Sequence, residues 1–243
     1  QLTSKCLKSL LEQTQYPGET EIIIIDNASS DETAVELKKL ATLHNEIKIQ
    51  LNDINTGFAA GNNNGLKIAT GDYLVILNND TIVTSGWLLT MLRHFQADPM
   101  LGLLGPVTNN IGNEAKVNVA YGSLDDMPGA AQAYTLKHMG KETAIRTAAF
   151  FCVMMPRKVY ESVGLMDENF GRGFFEDDDY CRRVEQAGYR IACADDVFVH
   201  HHLSASFDKL KAEERRSLFE RNKKYYESKW GAWVPHRYRN LNL

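Results

Sequence analysis

The sequence predicts an α/β fold, with a mostly parallel, doubly wound sheet flanked by helices and a more irregular second half. Three short apolar runs at 21–25, 47–51 and 73–77 alternate with segments whose apolar residues recur at helical spacing. The 243-residue length and a composition 44% hydrophobic and 24% charged suit one globular domain with a large core.

Element by element, residues 2–12 read as an amphipathic helix with Leu2, Cys6, Leu7, Leu10 and Leu11 on one face. The run 21–25 is apolar without alternation, as expected of a strand buried on both faces of a parallel sheet. A helix follows over 31–44, with Ala34, Leu37, Leu40 and Ala41 in phase, then a strand over 47–51. Helix 58–69, strand 73–77 and a helix over 85–97, capped by Ser85, continue the rhythm. Residues 101–107 form a short strand, and 108–141 are weakly patterned, a length of loop that signals function. A strand over 144–155 leads into a helix opened by Pro156. A helix over 176–186 ends at Gly188, strands follow at 189–194 and 197–200, and a charged helix spans about 208–229.

Composition excludes several classes. A net charge of −4 without a basic cluster gives no footprint for nucleic acid. Cys6, Cys152, Cys181 and Cys193 lack metal-finger spacing and sit in apolar or helical contexts, which reads as reduced core thiols of a cytoplasmic protein. No apolar run reaches the roughly 18 residues that span a bilayer, and no signal peptide is visible. The chain opens on Gln1 inside a helical pattern and so reads as a piece excised from a longer chain, whose other domains are expected partners.

Four polar clusters can carry chemistry. Asp26-Asn27 and Asn78-Asn79-Asp80 each end an apolar strand, where open α/β sheets collect ligands; turn chemistry is the plainer account of either alone. Four consecutive acids, Glu176 to Asp179, start a helix after Phe174-Phe175. The helix dipole accounts for one or two of them, not for four mutually repelling carboxylates. Helical spacing turns Asp177, with Tyr180 and Val184, toward protein or cleft, and Asp178, with Cys181, Arg182 and Glu185, outward. Asp177 is thus a candidate general base. His200-His201-His202 ends a short strand and offers imidazole to a metal, or else forms a solvated strand end.

Together these residues resemble the family-2 inverting glycosyltransferases of the GT-A fold, over nearly the whole chain. The resemblance runs from the segment 6–14 through Ile24-Ile25-Asp26-Asn27-Ala28-Ser29-Ser30-Asp31 and Asn55-Thr56-Gly57-Phe58-Ala59-Ala60-Gly61-Asn62-Asn63-Asn64-Gly65. It continues through Gly71 to Asp80, in the place of the metal-binding Asp-x-Asp motif, and Gly164 to Glu168 followed by Glu176 to Arg183, to His201. It implies transfer of a sugar from a nucleoside-diphosphate sugar to a hydroxyl of a glycan or lipid-linked glycan acceptor, as in polysaccharide biosynthesis, with Mn²⁺ or Mg²⁺ as cofactor. Asp26, Asn27, Asn55, Gly57, Asn64, Asn78 and Asn79 would serve the donor nucleotide, and Asp80 and His201 the metal. Asp177, beside Glu176, would be the base. Ala148, Phe150 and Phe175 are expected to shape the acceptor and sugar pocket. Residues 1–107 would form the nucleotide-sugar half, 108–205 the acceptor half, and 206–243 a C-terminal helix that packs on other domains or at a membrane surface. Two departures stand out: Asn78 replaces the motif's first Asp, and the family's first strand, which precedes Cys6, is absent. A weakly catalytic module that binds nucleotide or carbohydrate, and a sugar nucleotidyltransferase, are the alternative readings.

Overall fold

The structure, a computed structural model, describes residues 2–14, 18–202 and 212–239. The chain runs α1 (Leu2–Gln13), β1 (Ile22–Asp26), α2 (Thr33–Leu43), β2 (Ile47–Leu51), α3 (Phe58–Ile68), β3 (Tyr73–Leu77), β4 (Thr81–Val83) and α4 (Trp87–Ala97). It continues with β5 (Leu101–Val107), α5 (Met127–Lys137), β6 (Glu142–Ala144), β7 (Cys152–Pro156), α6 (Arg157–Val163), a 3₁₀ turn at Glu168–Phe170, α7 (Glu176–Gln186), β8 (Arg190–His201) and α8 (Ala212–Trp230). The α/β class and the helix-flanked sheet agree with expectation.

The pairing corrects one part of it. β1 and β2 form a separate parallel pair, and the larger sheet has the order β3-β7-β5-β8-β4, with β6 also on β8. Within it only β5 and β8 are parallel; β3·β7, β5·β7, β4·β8 and β6·β8 are antiparallel. The sheet is mixed rather than mostly parallel. The regular crossovers behind the parallel expectation do not continue past β3: a short turn joins β3 to β4, an irregular stretch joins β6 to β7, and two α-helices separate β7 from β8.

The larger sheet has a core on each face, because alternate residues of a strand point opposite ways. Val153 and Met155 of β7 pack with Leu103, Tyr180 and Phe198 on one side. Cys152 and Met154 pack with Met91, Phe95 and Leu104 on the other. β1, by contrast, leaves Ile22 to Ile25 only half-buried, so the expected burial on both faces is not found. All four cysteines are free and buried. No helix among the described residues is long and apolar enough to cross a membrane.

Other elements differ in detail. Residues 108–141 contain α5, which the sequence hides because only Met127 and Ala131 bury. The strand expected over 144–155 is interrupted by an irregular stretch, 145–151, between β6 and β7. The two short strands after Gly188 are one, β8, continuous through the buried acids Asp195 and Asp196. These read as turn residues but are paired, Asp195 with Thr143 and Arg239 and Asp196 with His94 and the Gly140 N–H. α4 starts one turn-residue later than expected, with Gly86 in left-handed backbone at its N-cap in place of Ser85. The expected start of the last helix, 208–211, lies outside the described residues.

Candidate active site

Strand register builds the first part of the site. β4 runs antiparallel to β8 with Thr81 opposite His201, which sets the preceding Asp80 beside the end of β8. The His202 N–H donates to the Asp80 carbonyl (2.9 Å). Asp80 is buried, its Oδ1 has no hydrogen-bond partner, and His201 Nε2 lies 3.4 Å from it. The His201 Nδ1 is 3.0 Å from the Asn110 carbonyl, which can only accept. Nδ1 therefore carries a ring proton, and in the neutral ring the Nε2 lone pair faces the carboxylate. Two acceptors aimed at each other in a buried place need a cation between them. Asn109 fixes this imidazole by bonding both the N–H (2.8 Å) and the carbonyl (3.2 Å) of His201, and Phe151 stacks on its ring at 4.8 Å.

Asp80 and His201 fit a divalent ion. No group of three or more His, Cys, Asp or Glu able to hold a metal occurs among the described residues, so most ligands must come from elsewhere. Ions that keep water and phosphate oxygens in their shell need only one or two protein ligands. His200 takes a different part: its Nδ1 meets the Tyr121 hydroxyl (2.5 Å), and burial, with His202 and His201 beside it, lowers its pKa to about 4.

The cluster after β1 is a structural hub as much as a binding surface. Asp26 is buried and accepts from Ser29 N–H and Oγ, closing a turn that puts Ala28 at φ +63°. Asn27 donates to Asn55 Oδ1 (3.2 Å) and the Gly57 carbonyl (3.0 Å), and accepts from Asn52 and Thr56. This pins the loop 52–57 to the end of β1. Gly57, at φ +90°, lies so close to Gly171 that a Cβ would sit 2.2 Å from its carbonyl oxygen, and the next N–H, of Phe58, bonds that oxygen at 3.2 Å. The first cluster thereby touches the turn that leads into the four acids. Asn64 and Asn78 are half-buried, while the exposed Asn79 donates its amide to Thr3 of α1 (2.8 Å). Asn63, which the sequence did not single out, is fully buried and clamps α3 to Met166 and Glu168.

The turn before α7 holds two adjacent non-glycine residues in left-handed backbone, Phe174 (φ +72°) and Phe175 (φ +74°). Such conformations are strained and need outside support. Asn222 of α8 supplies it, donating to the carbonyls of Phe170 (2.6 Å), Gly173 (2.7 Å) and Phe174 (3.2 Å). Phe175 adds its ring to a cluster with Phe219, Tyr226 and Trp233.

Among the four acids, Asp177 is half-buried and bonds the Asp178 N–H (2.9 Å). Asp178 does not point outward as its helical face suggests; it is 5% exposed, accepts from Thr147 Oγ1 (3.1 Å) and lies 3.4 Å from His236. The chain after α8 crosses above it and covers what would be an outer face. Asp179 is fully buried; it accepts from Arg183 on its own helix (3.0 Å) and docks α8 by accepting from Trp230 (2.9 Å) and pairing with Lys229. Burial first, and then the Asp178 charge, raise the Asp177 carboxyl well above the ordinary carboxylate range. Glu176 is raised by burial and by Asp177, and its buried Oε2 has no hydrogen-bond partner.

Ala148, Phe150 and Phe175 are at most 3% exposed and belong to the core, so their side chains do not line an open pocket. Their segment matters in another way. Thr147 bonds Asp178, the Ala148 carbonyl accepts from Cys181 (3.7 Å) and Phe150 packs on Tyr180. At the other end, Phe151 stacks on His201, and its carbonyl accepts from the Asn78 N–H (2.8 Å). The four-residue step from 147 to 151 spans at most about 14 Å. The cation pair and the acid cluster therefore share one end of the molecule. Sequence reading missed Asn109, Asn110, Thr147, Asn222 and His236; only Asn109-Asn110, polar residues just after a strand, carried a signal.

Comparison with known proteins bears on the family and the fold. A pre-mycofactocin glycosyltransferase of Mycobacterium tuberculosis is 29% identical over 184 residues, 74% of this chain and 37% of the relative. The glycosyltransferase AglE of Haloferax volcanii is 24% identical over 87% of this chain and 66% of its own. The chain thus spans little more than a third of the mycobacterial relative's length. Among solved structures, the mannosyltransferase PcManGT of Pyrobaculum calidifontis, in complex with GDP-Man and Mn²⁺, shares the fold. Its TM-score is 0.63 at 20% identity, covering 84% of this chain and 54% of that one. GalNAc-T7 with UDP, GalNAc and Mn²⁺ also scores 0.63, at 15% identity, covering 81% of this chain and 40% of that one. The family model of the family-2 glycosyl transferases matches residues 1–164, more than half of the sequence, and the chain belongs to that family.

Proposed function

We propose that the chain transfers a sugar, with inversion, from a nucleoside-diphosphate sugar to a hydroxyl of a glycan or lipid-linked glycan, assisted by a divalent ion. The observation that carries this reading is the facing pair, Asp80 Oδ1 and His201 Nε2, one short loop away from a carboxylate of raised pKa. Asp80 and His201 would hold the ion, which neutralises charge on the departing diphosphate. The matched relatives solved with Mn²⁺ and nucleotides or nucleotide sugars support that assignment.

Asp177 receives the proton of the acceptor hydroxyl. The hydroxyl oxygen bonds to the anomeric carbon as the bond from that carbon to the diphosphate oxygen breaks, the electron pair leaving with the diphosphate. One displacement with one base inverts the anomeric centre. A raised pKa suits Asp177 to this task, because a base works best when its pKa lies near the working pH. Asp26, Asn27, Asn55 and Gly57 form the loop against which the nucleotide would lie, with Asn64, Asn78 and Asn79 flanking it. Calorimetry with nucleoside diphosphates, with and without Mn²⁺, tests the proposal. Metal-dependent binding of a diphosphate supports it; binding of triphosphates alone would favour a nucleotidyltransferase, and no binding a non-catalytic module.

A further inference from the structure

The stretch after α8, residues 231–239, adds a titratable group to the acid cluster from beyond the family-matched region. It is pinned on both sides of His236. Trp233 packs on Phe175 and Phe219, and the Arg146 guanidinium holds the Val234 carbonyl. Arg239 bonds the Glu114 carbonyl and Asp195. Between these anchors the His236 Nε2 comes to 3.4 Å from Asp178 Oδ2, on the other carboxylate oxygen from that held by Thr147.

We propose that His236 is a positioning residue for the transfer: its imidazolium pairs with Asp178 and holds that carboxylate in place, so that Asp177 alone exchanges the acceptor proton. The inference rests on Asp177 acting as the base.

The electrostatics agree with the geometry. Burial alone would lower the affinity of His236 for a proton, and Arg146 opposes protonation too, but the bond to Asp178 and the charges of Asp178 and Asp177 outweigh both and raise it. In turn His236 opposes the rise of the Asp177 carboxyl, which burial and Asp178 produce. The groups facing this cluster are Glu176, Asp177, Asp178 and Cys181 on α7, Arg146 in the loop 145–151, Tyr226 on α8 and His236. His236 and Arg146 are the cations among them. Removing His236 leaves two adjacent carboxyls with less compensating charge, so together they retain a proton to higher pH.

The test is the pH profile of kcat/KM. In His236→Gln the acid limb should move up by about 1 pH unit, a roughly tenfold loss on the acid side that is recovered at high pH. His236→Lys, which keeps a cation, should leave the limb near its original position. His236→Gln combined with Asp178→Asn should bring it back down. An unmoved limb, or an equal loss at every pH in both His236 variants, overturns the proposal. Imidazole NMR gives a reading independent of turnover: the His236 titration should fall in Asp178→Asn, and an unchanged midpoint also overturns it. Retained activity in Asp177→Asn, with the NMR shift observed, would instead reject Asp177 as the base while leaving the ion pair established.

Discussion

Two histidine–aspartate pairs, His201–Asp80 and His236–Asp178, stand at the same 3.4 Å separation with opposite chemistry. His201 commits its Nδ1 proton to the Asn110 carbonyl, which leaves Nε2 of the neutral ring as an acceptor facing a carboxylate, an arrangement open to a cation. His236 is drawn by two carboxylates toward its protonated form and brings the charge with it. Distance does not distinguish them; the remaining partners of each ring do. The first pair sits on strand ends fixed by register, and the second joins a helix start to the chain after α8.

The largest expected effect lies at the acid cluster. Asp177→Asn should cut transfer by about 10²–10⁴-fold while circular dichroism and melting stay near normal; full activity would remove the base from the comparison. Next, Asn222→Ala removes the amide that donates to three carbonyls at the strained turn and should cost about 1–3 kcal/mol. Its kcat should fall with little change in nucleotide affinity, and an equal loss of nucleotide binding would show that the two parts of the site are not separable.

A third pair serves as a reference. His94 lies between Asp196 (2.8 Å) and Glu142 (3.3 Å), and the Asp196 bond above all raises its pKa from 6.5. A raised imidazole stabilises fully below its unfolded value and loses that contribution as pH rises through the folded one. The melting advantage of the native chain over His94→Gln should therefore be full below about pH 6.5 and shrink above it, and a constant difference would contradict the protonated state. The smallest change in stability is expected for Asp80→Asn. Its amide can donate to the His201 Nε2, so the metal-free protein should gain about 1 kcal/mol while metal-dependent nucleotide binding is lost. A lower melting temperature without metal would mean that the two acceptors do not face each other.

The sequence made the α/β class legible because β1 to β3 and the helices between them follow simple periodicity. It also marked Asp26, Asp80 and Asp177: turn chemistry accounts for one polar strand end, but not for two together with four crowded acids at a helix start. It could not show that β1 is half-buried while β7 is wholly buried: both are continuous apolar runs, and what covers a strand is decided by distant segments. Asp178 failed for the same reason. Helical spacing places it on the outer face, and residues fifty positions later cover that face. Antiparallel register, not spacing, brought Asp80 to His201.

The bend at Phe174 and Phe175 has a consequence for the order in which the protein matures. Much of its restraint comes from Asn222, about fifty residues downstream, so the bend is fully held only once α8 is made. A chain emerging from the ribosome can complete the Asp80–His201 corner while the entry to α7 is still free to relax. In refolding, recovery of turnover should accordingly lag behind recovery of sheet structure, by the time α8 takes to settle.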